Sequence, residues 1–208
     1  MTTDTARQDS HGMIPSPQAP SEADTSTSRV SRGVLGAVVL VSAIAPLATD
    51  MYVPAFPAVG RDLGAGATAV QLTLTTFFVG MALGQLLGGP HSDAHGRRRP
   101  LVAALIVLTL ASLACGLAPS IGAMTAARFV QGLAGGWAMV TARAVLVDLS
   151  RGPGLVRSLN LVAGVGGVAP IVGPLLGGLI LQLSQWRVSF WAVAALSVAM
   201  VVLGQASR

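Results

Sequence analysis

The stretch Leu47-Ala-Thr-Asp-Met-Tyr-Val-Pro-Ala-Phe-Pro57 decides the reading. Asp50 closes a run that begins at Gly33 and is otherwise uncharged and almost wholly apolar. Such a carboxylate is a helix end meeting water, part of a soluble protein's core or a group held inside a membrane, and the rest of the chain must choose among them. Of 208 residues, 52% are hydrophobic and only 10% charged, with mean hydropathy +0.70. Soluble domains carry about 25% charged residues, so too little charge is present to coat a surface facing water. The fold class expected is an all-α integral membrane protein.

Six apolar stretches follow one another, near 33–57, 68–89, 101–117, 121–146, 159–183 and 188–204. A helix needs roughly 20 predominantly apolar residues to cross a bilayer core. Four stretches reach that length comfortably, and the third and sixth sit near the lower limit. Residues 1–32 are rich in Ser, Thr, Pro, Asp and Gln and are expected to form a disordered tail. Arg29, Arg32, the run Val34–Val41 and the triplet Ala43-Ile44-Ala45 also fit a cleaved leader. The apolar run continues past Ala45 and five further spans follow, which favours a retained first span.

All 13 basic residues are Arg. A pI near 11.3 is a nucleic-acid signal in a soluble protein. Here the arginines lie between apolar segments, so they orient the chain in a membrane instead, and no nucleic-acid partner is expected. Arg7, Arg29 and Arg32 precede the first span, Arg97, Arg98 and Arg99 separate the second and third, and Arg151 and Arg157 separate the fourth and fifth. The opposite side holds only Arg61 and Arg187. Positive residues stay cytoplasmic, so both termini are expected inside. The single Cys115 can form neither an internal disulfide nor a metal cluster. No spacing of His, Ser or carboxylates points to an enzyme or a metal site.

Two charges lie well inside the expected spans, Asp50 and Arg128. A charge near mid-span costs about 2.5–3.5 kcal/mol on insertion scales, so it needs a partner or a purpose. Asp50 lies ~26 Å from the inner end of the first span and Arg128 ~9 Å below the outer face of the fourth, at 1.5 Å per residue. Their depths match, and if spans one and four share a cavity wall a direct or water-bridged pair between them is expected. An Arg128 that bonds backbone carbonyls at a broken helix is the structural alternative. Asp50 is read as a protonatable carboxylate on a cavity wall, with a plain helix end as the alternative that Pro54 and Pro57 keep open. Gln71, Gln85 and Gln131 are weaker signals, as compatible with packing as with substrate contact.

The segment Gly88-Gly-Pro-His-Ser-Asp-Ala-His-Gly-Arg-Arg-Arg-Pro100 reads as a short turn between spans two and three. Asp93 could cap the third span's helix or pair with a basic group on a neighbouring helix end. Arg143, ~22 Å nearer the inner face than Arg128 by helix rise, is the candidate partner. The pattern Gly89-x-x-x-Asp93-x-x-Gly96-Arg97-Arg98 resembles the loop signature of the major facilitator superfamily. Asp50–Pro57 resembles the end of helix one in its drug:proton antiporters of the bicyclomycin and chloramphenicol resistance branch. Arg128–Gly136, RFVQGLAGG, is similar to the helix-four motif, and Pro170–Gly178, PIVGPLLGG, to the antiporter motif of helix five. Where the loop signature usually has Leu, an Arg and an aromatic, this chain has His91, Ala94 and His95, and Ala169 replaces a Gly that often opens the helix-five motif.

The resemblance implies the N-terminal six-helix half of a proton-coupled drug exporter of the bacterial inner membrane. Its coupling residues would be Asp50 and Arg128. Its gating loop would involve Gly89, Asp93, Gly96, Arg97, Arg98 and Arg143. Its antiporter helix would use Pro170, Gly173, Pro174, Gly177 and Gly178. The implied partners are a small hydrophobic substrate, the lipid bilayer and a second six-helix half or second chain. The proton is the coupling ion, with no other cofactor. Because the sequence ends at Arg208, just past the sixth span, a half-length or truncated form is expected. A symporter or nutrient exporter on the same fold, or a non-transporting membrane subunit, is the alternative. Proline and glycine support the helix-five assignment physically: Pro170 and Pro174 donate no backbone hydrogen bond, and small residues let helices approach closely.

Overall fold

A computed structural model describes residues 32–150 and 152–206. Apart from Arg32, the tail expected over 1–32 lies outside the described residues, as does Arg151. The described chain is helical: α1 (Arg32–Asp50), a 3-10 turn (Val53–Ala55), α2 (Phe56–Asp62), α3 (Ala67–His95), α4 (Arg98–Gly116), α5 (Ile121–Leu149), α6 (Gly152–Leu183) and α7 (Arg187–Ala206). Five stretches are long and apolar enough to cross a membrane: Gly33–Asp62, Ala67–Ala94, Arg98–Gly116, Ile121–Leu149 and Pro153–Leu183. A shorter apolar helix, Arg187–Val202, follows them.

Local chemistry explains the joints. Leu47 O accepts from Met51 N at 3.0 Å, and Tyr52 O then accepts from Ala55 N at 2.9 Å in the tighter 3-10 pattern. Pro54 and Pro57 sit in the opening positions of the turn and of α2, where a missing N–H costs nothing. The helical run therefore continues beyond Asp50. α1 does end there, yet the apolar stretch reaches Asp62. Between α4 and α5, Ser120 caps the new helix, its Oγ accepting from Ala123 N at 3.3 Å.

The expected turn at Gly88–Pro100 is mostly helix. α3 runs through Pro90 to His95, and the break is confined to Gly96 and Arg97. Gly96 has φ +78°, a conformation that a Cβ would strain. The turn signal in the sequence therefore marks two residues, not thirteen.

Packing is closest between α3 and α5. A Cβ on Gly80 would run into the backbone of Phe129, one on Gly84 into that of Leu133, one on Gly132 into that of Phe77, and one on Gly136 into that of Met81. The two helices lie backbone on backbone along a seam of glycines from both sides. Lipid tails give apolar helices no hydrophobic reason to associate, so close van der Waals contact must hold them. The main cluster of buried side chains joins α1, α4, α5 and α7 around Ile44, Leu105, Leu108, Ala138 and Val193.

This seam makes a prediction. Gly84→Ala should destabilise the folded chain by about 1–3 kcal/mol, the usual cost of overpacking. At Gly89, a Cβ meets nothing nearer than Val140, at 4.0 Å, so Gly89→Ala should be nearly neutral. Thermal unfolding in detergent, read by helical circular dichroism, separates the two. Equal melting points would remove the seam as a packing determinant.

Candidate functional site

Arg128, on α5, is fully buried. Nη1 donates to Ala48 O on α1 at 3.3 Å and to Gln131 Oε1 at 2.8 Å. Gln131 Nε2 passes the connection to Ser112 Oγ on α4 at 2.8 Å, and Ser112 Oγ donates to Leu108 O at 2.7 Å. A polar chain thus crosses α1, α5 and α4 through the interior. Cys115 Sγ lies 3.8 Å from Gln131 Oε1 at its edge.

Aromatic rings supply the rest of the environment. The guanidinium carbon lies 4.3 Å from the Phe77 ring centroid, 4.6 Å from Tyr52 and 5.6 Å from Phe190. These rings come from α3, the segment after α1, and α7, so the cation ties together elements distant in the chain. Nε and Nη2 have no hydrogen-bond acceptor among the described residues. Desolvated cation–π contacts are worth about 2 kcal/mol. One or two such contacts are comparable with the insertion cost of the charge. Tyr52 is itself fixed, its hydroxyl 2.8 Å from Thr73 Oγ1.

The expected direct ion pair between Arg128 and Asp50 does not form. Arg128 reaches α1 at Ala48, two residues before Asp50, and spends Nη1 there on a carbonyl. Asp50 is partly exposed and turns to α6, where its Cβ occupies the space beside Gly173. One turn further along, Gly177 abuts the Met51 backbone. Gly173 and Gly177 thus permit α6 to press on the end of α1. Pro170 and Pro174 lie inside α6, and Gly178 faces open space.

Of the four carboxylates among the described residues, Asp50 alone joins no ion pair. Asp62 binds Arg187 and accepts from Trp186 Nε1 at 3.1 Å, closing one end of the bundle. At the other end Arg97 binds Asp93 on α3 and Asp148 on α5, the latter at 2.7 Å. It also donates to Ser92 Oγ at 2.9 Å, which in turn donates to Gly89 O. The hydrogen bond that Arg97 donates to Asp148, reinforced by the one to Asp93, raises the Arg97 pKa above its ordinary value. Arg97, and not the expected Arg143, is therefore the partner of Asp93. Arg143 is exposed on α5 and takes no part in these pairs, while Arg98 opens α4. Asp148 escaped sequence reasoning although its place near the last turn of α5, opposite the loop arginines, was available as a signal.

Gln131→Leu should leave Arg128 Nη1 with the Ala48 carbonyl as its one remaining hydrogen-bond acceptor. Hydrogen bonds to charged groups contribute about 1.5–3 kcal/mol, so a loss of that order is expected in unfolding by denaturant. Arg97→Gln, on an exposed network, should cost less than about 1 kcal/mol.

Comparison with known proteins gives the family. The family model of the Major Facilitator Superfamily matches residues 38–206. The uncharacterised MFS-type transporter YdgK of Bacillus subtilis is 40% identical over 166 residues, 79% of this chain and 41% of its own length. A bicyclomycin resistance protein homolog of Haemophilus influenzae is 36% identical over 155 residues, 74% of this chain and 39% of its own. The multidrug resistance protein MdtL of Escherichia coli is 31% identical over 158 residues, 76% and 40%. The chain spans about two fifths of the length of these relatives. With this match along most of its length, this multi-pass membrane chain belongs to the major facilitator superfamily.

Proposed function

We propose that the chain is one half of a proton-coupled exporter of hydrophobic, drug-like molecules. It works in the bacterial inner membrane with both ends at the cytoplasmic face. The observation that carries this reading is Asp50, the described carboxylate left without an ion pair, at the contact between α1 and the glycine face of α6. Relatives named for bicyclomycin and multidrug resistance support the substrate class. The arginines grouped on one side of the membrane support the orientation.

In this reading Asp50 takes up and releases the coupling proton. Arg128 keeps its charge throughout and holds α1 to α5, so a change at Asp50 is felt where α1 meets α6. Gly173 and Gly177 let α6 shift against α1 without displacing side chains. Asp93, Arg97 and Asp148 hold the ends of α3, α4 and α5 together at the cytoplasmic face. The substrate passes between this bundle and a second six-helix half, on the same polypeptide or another. Binding and proton exchange drive the cycle, with no covalent chemistry.

The test is efflux from cells that express residues 1–208 joined to a matching C-terminal half. Proton-driven efflux of a fluorescent hydrophobic drug is expected from the fusion. It should fall to the level of empty cells in Asp50→Asn while the amount in the membrane is unchanged. Undiminished efflux from Asp50→Asn would sink the coupling role. Efflux from the 208-residue chain alone would replace the two-half requirement with self-assembly.

A further inference from the structure

We infer that a groove between α3, α4 and α5, remote from Asp50, holds one acyl chain of an anionic phospholipid. The groove has a volume of about 300 Å³ and is lined by His91, Pro100, Ala103, Leu133, Ala134 and Trp137, with Ala104 and Val107 further along α4. On α4 the lining positions 100, 103, 104 and 107 form one face at helical spacing. The His91 and Trp137 rings meet edge to face, with centroids 5.2 Å apart. Apolar walls of this kind have no reason to hold water, and Ile106, Val107 and Leu110 leave further apolar surface exposed on the same helix.

Charge selects the occupant. Arg99 stands one turn before Ala103 on α4, exposed, at the end of the groove nearest the Gly96 break. It joins none of the ion pairs among the described residues. The two nearby carboxylates, Asp93 and Asp148, are both engaged by Arg97. The first turn of α4 carries no acidic residue that would repel a phosphate. An apolar slot ending at a basic rim at the membrane surface fits a lipid tail below and an anionic headgroup above. A neutral drug-like molecule would fill the slot and make no use of the rim.

Brominated lipids quench nearby tryptophan, which makes Trp137 the reporter. The full 208-residue chain is reconstituted in phosphatidylcholine vesicles containing increasing phosphatidylglycerol brominated on its acyl chain. The Trp137 signal is the fluorescence lost in Trp137→Phe. Quenching should saturate at a low fraction of the brominated phosphatidylglycerol, whereas brominated phosphatidylcholine should quench in proportion to its amount. Ala103→Leu, which fills the slot from an exposed position, should abolish the saturable part. Arg99→Gln should weaken it by about fivefold, the contribution of one basic residue near an anionic surface. That second variant also decides the question if Ala103→Leu fails to insert. Equal quenching by the two lipids, or indifference to Arg99→Gln, overturns the inference. Saturation by a brominated alkane without headgroup preference also overturns it and assigns the groove to a small apolar molecule.

Discussion

The glycine seam between α3 and α5 is the constraint on which the rest of the bundle depends. Helices in lipid gain nothing from hiding apolar surface, so they hold together by the quality of their contact. Gly80 and Gly84 on one helix, with Gly132 and Gly136 on the other, bring two backbones together. The same contact sets the register of side chains beside it. Gly132 rests on the Phe77 backbone, and the Phe77 ring covers Arg128, one turn before Gly132 on α5. A larger residue in the seam would lift that ring from the cation.

Arg128 illustrates how an interior charge is tolerated without a carboxylate beside it. One nitrogen spends its hydrogen bonds on a carbonyl and an amide. The rest of the group is enclosed by aromatic faces. A buried Arg–Asp pair would neutralise the charge but would also lock the carboxylate. Separating the two leaves α1 attached to α5 through Ala48 and leaves Asp50 unclaimed.

Much of this was legible in the sequence. Apolar length located the membrane helices. Depth was readable because helix rise is constant, and it brought Arg128 level with the end of α1. Direction around the helix was not readable. Equal depth made Asp50 the natural partner of Arg128, yet Asp50 packs its Cβ against Gly173 of α6. Arg143 likewise had the right depth for Asp93 but the wrong face, and Arg97 was four residues from Asp93 on the same side. The relay through Gln131 and Ser112 lay beyond sequence reasoning because both types are ordinary packing residues in membrane helices. Only the position of α4 against α5 makes them neighbours. The helical continuation through Pro90 was missed because proline and glycine read as punctuation in water, whereas membrane helices tolerate both.

The distribution of charge bears on which group can change state. Asp62 and Arg187 neutralise each other at one end of the bundle, and Arg97 takes Asp93 and Asp148 at the other. Well inside those ends, Arg128 and Asp50 meet the junction of α1 with its neighbours, Arg128 bonding Ala48 O from α5 and Asp50 packing its Cβ on Gly173 of α6. Arginine keeps its proton in proteins, and the aromatic cage gives this one no route to water. Any change of charge at the junction must then fall on Asp50, which is partly exposed and packed on a glycine. A proton arriving there alters the charge next to the α1–α6 contact while the α1–α5 contact stays fixed. In the proposed cycle, that inequality gives protonation a direction in which to move the helices.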